Sequence, residues 1–271
     1  MSPPRFAPLC LALALAAPSG ALGQPRPTAP AHPAAIAVGD PPATHVFPWA
    51  STGLAVRNAR GELWFHEMPG EPTSPPRRIP GAALGGPEAP PRAVFPWGPS
   101  GVAVVDPQGQ LWVYPVGEEV GPGRRVPGAA IGTQGGSPRA MFPLGAQRVA
   151  VVDATGALWT HAVTARVAAA RRIPGAVLVA PEATPRAIFG LGPARVGVLD
   201  AQGGLRVHDV STRVAAGFPL PGGPVTSPEA PARFVFPYGS ARIAVVNTRG
   251  DLWMYPLTDR IGTAYRVGRN R

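Results

Sequence analysis

The sequence predicts an all-β chain, a five-bladed β-propeller of four-stranded antiparallel blades, and three observations predict it. The first is a repeat: Phe47, Phe95, Phe142, Phe189 and Phe236 follow one another at steps of 48, 47, 47 and 47 residues. Leu63-Trp64, Leu111-Trp112, Leu158-Trp159 and Leu252-Trp253 keep the same step, and Leu205-Arg206 fills the fourth slot. A fixed period of this length marks a solenoid or a propeller. The second is a turn copied five times: Asn58-Ala59-Arg60-Gly61, Asp106-Pro107-Gln108-Gly109, Asp153-Ala154-Thr155-Gly156, Asp200-Ala201-Gln202-Gly203 and Asn247-Thr248-Arg249-Gly250. The third is the placement of proline, which orders the strands within each unit.

The second repeat shows the elements in order. Arg92 to Gly98 is a short apolar run ended by glycine. Gly101 to Val105 is β-branched and free of proline. Asp106 to Gly109 turns the chain, Leu111 to Tyr114 runs back, and Arg124 to Gly128 closes the unit. Apolar runs bounded by Gly, Pro and Asp are strand signals. The chain lacks a capped 3.6-residue periodicity, so helix content should be very low. In the turn, Asp or Asn bonds the backbone ahead of it and the last Gly supplies a positive φ. The repeated Asp is therefore read as a turn former. Pro48, Pro96, Pro143 and Pro237 fall in the first strand, and Pro80, Pro127, Pro174 and Pro221 in the last. Proline cannot donate to a ladder and is confined to edges. Strand one should line a central channel and strand four the outer rim, the arrangement that protects edges in a propeller.

Residues 1–23 read as a secretory signal peptide: a basic start at Arg5, an apolar run from Phe6 to Pro18 too short to span a bilayer, and small residues Ala21-Leu22-Gly23 before Gln24. Residues 24–43 are a Pro/Ala-rich linker. Residues 44–271 are the five-repeat domain, although Ala34 to Gly39 echoes Gly81 to Gly86 and places the domain start near residue 34. The expected location is outside the cytoplasm, secreted or periplasmic, with no membrane-spanning segment. Cys10, the single cysteine, leaves with the signal, so the mature chain has no disulfide and no thiolate. All 25 basic residues are arginine, and the net charge of +10 draws the chain to anionic surfaces.

The third strand carries the candidate ligand-binding residues. Side chains alternate along a strand, so Trp64 and His66 share one face, as do Trp112 and Tyr114, Trp159 and His161, Arg206 and His208, and Trp253 and Tyr255. At a blade boundary such a pair serves as a spacer or as a stacking wall for a sugar ring.

Stretches such as Pro91 to Gly98, Gly101 to Asp106 and Gly109 to Tyr114 resemble the repeats of bacterial propeller lectins of the Photorhabdus lectin-like type. That resemblance covers nearly all of 44–271 and implies sugar binding between adjacent blades, at Trp64/His66, Trp112/Tyr114, Trp159/His161 and Trp253/Tyr255. The chain departs from the family in showing five repeats rather than seven. It carries Arg77-Arg78, Arg124-Arg125 and Arg171-Arg172 where outer-strand tryptophans are usual.

The same reading expects no enzyme, no catalytic residue, no metal and no cofactor. His66, His161 and His208 lie on different repeats, Glu88, Glu182 and Glu229 precede strand one in loops, and no nucleophile elbow or phosphate loop occurs. Arg92, Arg139, Arg186 and Arg233 recur three residues before Phe95, Phe142, Phe189 and Phe236, with Thr44 in the first copy, and would ring one mouth of the channel. The expected partners are glycans or anionic cell-surface polymers rather than nucleic acid. The alternative is a non-catalytic extracellular scaffold for protein or cell-envelope partners. The oligomeric state is not legible.

Overall fold

Asp or Asn at the head of each turn locks the middle hairpin of each repeat. Asp106 Oδ1 accepts the N–H groups of Gln108 and Gln110 at 3.0 and 2.8 Å. Asn58, Asp153, Asp200 and Asn247 repeat the pattern with the residues two and four positions on. The closing glycines Gly61, Gly109, Gly156, Gly203 and Gly250 adopt φ between 79 and 87°. Five turns of one chemistry thus fix five hairpins of one register.

The computed structural model describes residues 36, 41–49, 53–68, 76–85, 89–133 and 137–267. The signal peptide, most of the linker and Glu88 lie outside the described residues. The first repeat forms β1 (Ala43–Trp49), β2 (Gly53–Asn58), β3 (Leu63–Glu67) and β4 (Arg77–Ile79). The second forms β5 (Ala93–Trp97), β6 (Gly101–Val105), β7 (Leu111–Pro115) and β8 (Arg124–Val126). The third forms β9 (Ala140–Pro143), β10 (Arg148–Val152), β11 (Leu158–Ala162) and β12 (Arg171–Arg172). The fourth forms β13 (Ala187–Gly190), β14 (Arg195–Leu199), β15 (Leu205–Asp209) and β16 (Phe218–Pro219). The fifth forms β17 (Ala232–Pro237), β18 (Arg242–Asn247), β19 (Leu252–Pro256) and β20 (Tyr265–Arg266). Each repeat is one sheet with its strands in sequence order, all antiparallel, and no helix occurs among the described residues. The first strands pack on one another around the ring, β1 on β5, β5 on β9, β9 on β13, β13 on β17 and β17 back on β1. This is the five-bladed propeller with strand one at the axis.

The cores lie between blades rather than within them. Phe47, Ala55, Leu63 and Leu84 of the first blade pack on Val94, Val102, Val104 and Val120 of the second. Val46, Leu54 and Val56 pack on Phe236, Ala244, Val246 and Met254 across the closure. Because both faces of a blade meet a neighbour, the second strands read as continuous apolar runs. All five residues of β6 are buried.

Two backbone devices join the blades. Leu84, Ile131, Leu178 and Val225 each donate an N–H to the turn glycine of the blade just completed, at 2.6 to 2.8 Å. Ile36 does the same to Gly250 at 2.7 Å, so the fifth copy comes from upstream of the first strand and closes the ring. The second device is a Pro-Gly stitch. Val120 N–H donates to Pro80 O at 2.7 Å and Ala82 N–H donates to Val120 O at 2.8 Å. Gly128 and Gly175 make the same approach to Val167 and Val214, where an added Cβ would stand 2.2 Å from a carbonyl oxygen. The sequence reading placed Pro80, Pro127, Pro174 and Pro221 inside the outer strand. They fall just past it, and their carbonyls bond the next blade instead.

Candidate functional site

The turn aspartates do more than turn the chain. In blades 2 and 3 the second carboxylate oxygen accepts an indole N–H, Trp112 Nε1 to Asp106 Oδ2 at 2.9 Å and Trp159 Nε1 to Asp153 Oδ2 at 2.7 Å. Burial acts to raise the Asp153 carboxyl pKa, but the bonds from Thr155, Trp159 and Ala157 outweigh it and hold that carboxyl below its ordinary value. Blade 5 carries Asn at this place. Its amide donates to Ser227 and Asp251, and Trp253 Nε1 is buried without a partner. In blade 1, Asn58 likewise donates to Glu62 at 2.7 Å. Each Trp packs against a neighbouring blade: Trp64 on blade 5, Trp112 on blade 1, Trp159 on blade 2 and Trp253 on blade 4.

The second members of the proposed pairs point into the joints. His161 is 1% exposed. It bonds through Nδ1 to the Ala168 carbonyl at 3.0 Å and through Nε2 to the Gly132 backbone of the preceding connection. Tyr255 reaches Thr226 in the same way, its hydroxyl accepting the Thr226 N–H at 3.1 Å and donating to the Thr226 carbonyl. Tyr114 and His66 are half-buried, and burial lowers the His66 pKa to about 4. The four pairs sit at four different junctions; the fold does not bring them together. Trp64, Trp112, Trp159 and Trp253 keep part of their surface open, whereas His161 and Tyr255 do not.

Across the sheet, Trp64, Trp112, Trp159 and Trp253 stand opposite Arg78, Arg125, Arg172 and Arg266 of the outer strands. Arg78 pairs with Glu62 at 3.1 Å, Arg125 bonds Gln110, and Arg266 bonds Glu229 and Asp251. Blade 3 has Ala157 at the acceptor position. Blade 4 has lost the whole set: Gly204, Arg206 and Pro219 replace acceptor, Trp and outer Arg. The Arg206 head donates to the Gly217 carbonyl at 2.8 Å rather than to Asp200.

Two cavities lie at the junction of blades 3 and 4. One of about 300 Å³ lies between blades 3 and 4, lined by Arg148, Thr160, Arg171, Ile173, Ser211 and Thr212, with Ala162, Ala168 and Ala169. Arg148, Thr160 and Arg171 share one face, since Arg148 pairs with Ala162 and Thr160 with Arg171. The equivalent trios are Gly53, Phe65, Arg77; Gly101, Val113, Arg124; Arg195, Val207, Phe218; and Arg242, Met254, Tyr265. Only blade 3 joins two arginines through a hydroxyl. The sequence reading saw Arg171 as a rim residue and missed Arg148 and Thr160. The signal was present as column-by-column differences between copies, which become meaningful once the register is known. A second cavity of about 500 Å³ lies at the other end of the same junction, around Asp200, Gln202, Gly204 and Arg206.

The axis holds a third cavity of about 210 Å³, lined by first-strand residues of all five blades, among them Phe47, Phe95, Phe142, Phe189 and Phe236. Its wall is apolar and carries no titratable side chain. Three of the arginines expected at its mouth bond backbone carbonyls. Arg139 bonds the carbonyls of Ala180, Pro181 and Ala183, Arg186 that of Ala201, and Arg233 that of Ala43.

The chain is a five-bladed β-propeller in which, among the described residues, the junction between blades 3 and 4 departs from the copied Trp and outer-Arg pattern. No family model and no curated relative matches the sequence. Among solved structures it is similar to human WBSCR16, at 12% identity over 80% of this chain and 65% of that one, with a TM-score of 0.38. It is also similar to yeast RCC1 (Prp20) bound to Kap60, at 10% identity over 76% and 54% of the two chains, with a TM-score of 0.38. A structure of Prp20p from Saccharomyces cerevisiae, described with its binding properties to Gsp1p and histones, matches at 9% identity over 84% and 64%, with a TM-score of 0.39. The matches span less than two thirds of each of these chains. No helix of the described residues is long and apolar enough to cross a membrane.

Proposed function

We propose that this propeller is an exported, non-enzymatic binding protein that takes an acidic sugar of a cell-surface glycan in the cavity between blades 3 and 4. The observation that supports it is the trio Arg148, Thr160 and Arg171, which blade 3 alone possesses, facing Ser211 and Thr212 of the next blade. Guanidinium groups are suited to a carboxylate or sulfate, as forked donors. The hydroxyls suit ring oxygens, and Ile173 with the alanines supplies an apolar floor. The exposed arginines Arg77, Arg78, Arg124, Arg125 and Arg172 extend positive charge along the rim of blades 1 to 3 and suit the rest of an anionic polymer. The half-buried indoles of Trp64, Trp112 and Trp159 offer stacking edges beside that path.

An array of acidic and neutral glycans tests the reading. Wild-type protein binds uronate- or sulfate-bearing glycans over neutral ones, and Arg148→Gln with Arg171→Gln lowers that binding at least about tenfold at unchanged melting temperature. Equal binding by the folded double variant, or no acidic preference, removes this site.

A protein-binding scaffold is the second reading. Phe218 and Tyr265 favour it, for they are 43% and 36% exposed on the outer strands of blades 4 and 5, where the other blades carry Arg. A neutral glycan profile together with partner capture that is lost in Phe218→Ser would select it.

A further inference from the structure

We propose that the cleft at Asp200 is a binding site for an indole, a planar aromatic ring carrying an N–H donor, which takes the place that Trp112 and Trp159 occupy in their own blades. The proposal does not depend on the basic cavity at the opposite end of the junction. Three features of blade 4 carry it.

The first is the vacated place. In blades 2 and 3 an indole lies over the turn with its N–H on the free oxygen of the turn aspartate. Blade 4 keeps the aspartate and the turn, with Asp200 Oδ1 accepting the N–H groups of Gln202 and Gly204 at 2.9 and 2.7 Å. Arg206 replaces the Trp, and its head is held by the Gly217 carbonyl. Oδ2 of Asp200 is left without the donor its counterparts have.

The second is space. The cleft measures about 500 Å³, within the range of small-molecule sites. Its floor is apolar, with Leu178, Val179 and Val198 all buried. Gly204 leaves the space beside the carboxylate open, since a Cβ there would stand 2.5 Å from Asp200 Oδ2, although Gln110 and Ala157 carry one at this place in blades 2 and 3. The Arg206 stem lines the remaining wall and can face an aromatic ring.

The third is that the neighbouring joint is also incomplete. His161 and Tyr255 bond the connection from the preceding blade, but His208, 2% exposed, bonds only Ala215, and its Nε2 is buried without a partner. His208 lacks the bond to the preceding connection that His161 and Tyr255 make, a lack it shares with His66 of the first blade, whose Nε2 is also buried without a partner.

The test is titration of the full propeller with free indole, N-methylindole and N-acetyltryptophanamide, read by calorimetry and by backbone amide shifts. Indole is expected to bind with a dissociation constant on the order of 1 mM or tighter and to shift amides of 178–185 and 200–206. N-methylindole, which has no N–H, should bind at least about fivefold more weakly. Asp200→Asn should weaken indole to the same degree while leaving the turn intact. Blade 5 shows why: Asn247 forms the turn, yet Trp253 Nε1 goes without a partner. Arg206→Trp should abolish binding by filling the cleft from within. Binding of N-acetyltryptophanamide as tight as indole assigns the site to a tryptophan side chain of a polypeptide; binding of indole alone assigns it to a free aromatic molecule. No shift in the cleft, or equal affinity for N-methylindole and in Asp200→Asn, overturns the proposal.

Discussion

At the junction of blades 2 and 3, Trp159 lies over its turn with the indole on Asp153, and His161 reaches back to Gly132 of the connection before it. At the junction of blades 3 and 4 the same positions hold Arg206, whose head bonds the Gly217 carbonyl rather than Asp200, and His208, whose Nε2 is buried without a partner. Yet the Pro-Gly stitch is the same at both, with Val167 N–H on Pro127 O and Val214 N–H on Pro174 O at 2.8 Å each. The difference separates two jobs. Backbone stitches and the interblade core hold neighbouring blades together, so the side chains nearer the rim are free to depart from the copy. The open junction is where they did.

The largest expected effect comes from attacking what the two junctions share. Gly128→Ala and Gly175→Ala each force a side chain onto φ near 121–123° and onto a carbonyl 2.2 Å away. Each should cost about 3 kcal/mol or more in chemical denaturation. Gly239→Ala is the control: φ is 67° with open space around it, and the cost should be about 1 kcal/mol. Equal losses at 128 and 175 mean that the stitch carries both joints. A much smaller loss at 175 means that the open junction is held in some other way.

Next in size is the exchange of the residue that differs. Trp159→Arg gives blade 3 the chemistry of blade 4. It removes a half-buried indole and leaves the Asp153 oxygen unbonded, which should cost about 2 kcal/mol. A loss near zero would show that Trp159 contributes little to the joint, and that the contrast between the junctions is decorative.

The fold was legible in the sequence and the unusual junction only half so. Period, turn chemistry and proline placement each reflect backbone demands shared by the copies, so the Asp or Asn of the turn and its Gly recur five times and the first-strand proline four times. Arg206 and Phe218 were visible as departures from the repeat. Arg148 and Thr160 were not, because a lone Thr in an apolar column and an Arg before a strand look ordinary until pairing places them on one face. The aromatic pairs were read at blade boundaries, and they lie there. What the sequence could not show was that a turn aspartate, six residues away, takes the indole N–H, since that contact depends on the hairpin register. The Pro-Gly stitch escaped for a similar reason: its partner lies about 40 residues further along the chain, in the next blade.

The smallest effect separates the junctions by pH. Burial depresses the pKa of His66 to about 4 and lowers that of His208, where the Ala215 carbonyl opposes burial and Arg206 adds to it. A histidine with a depressed folded pKa stabilises fully above its unfolded value near 6.5, and that contribution is lost as pH falls toward the folded value. Melting temperature should therefore decline between about pH 6.5 and pH 4. Below about pH 4, protonation of Asp153 adds a second loss, since its folded pKa is also depressed. Blades 2 and 5 carry Tyr114 and Tyr255 in the histidine column, so His66→Tyr with His208→Tyr is a replacement the fold already uses. That variant should retain roughly a few degrees more at pH 4.5 than wild type, relative to pH 7. If the two profiles superpose, the histidines at 66 and 208 are not what distinguishes these joints, and the acid response belongs to His45, which burial and Arg57 also depress to about 4, and to Asp153.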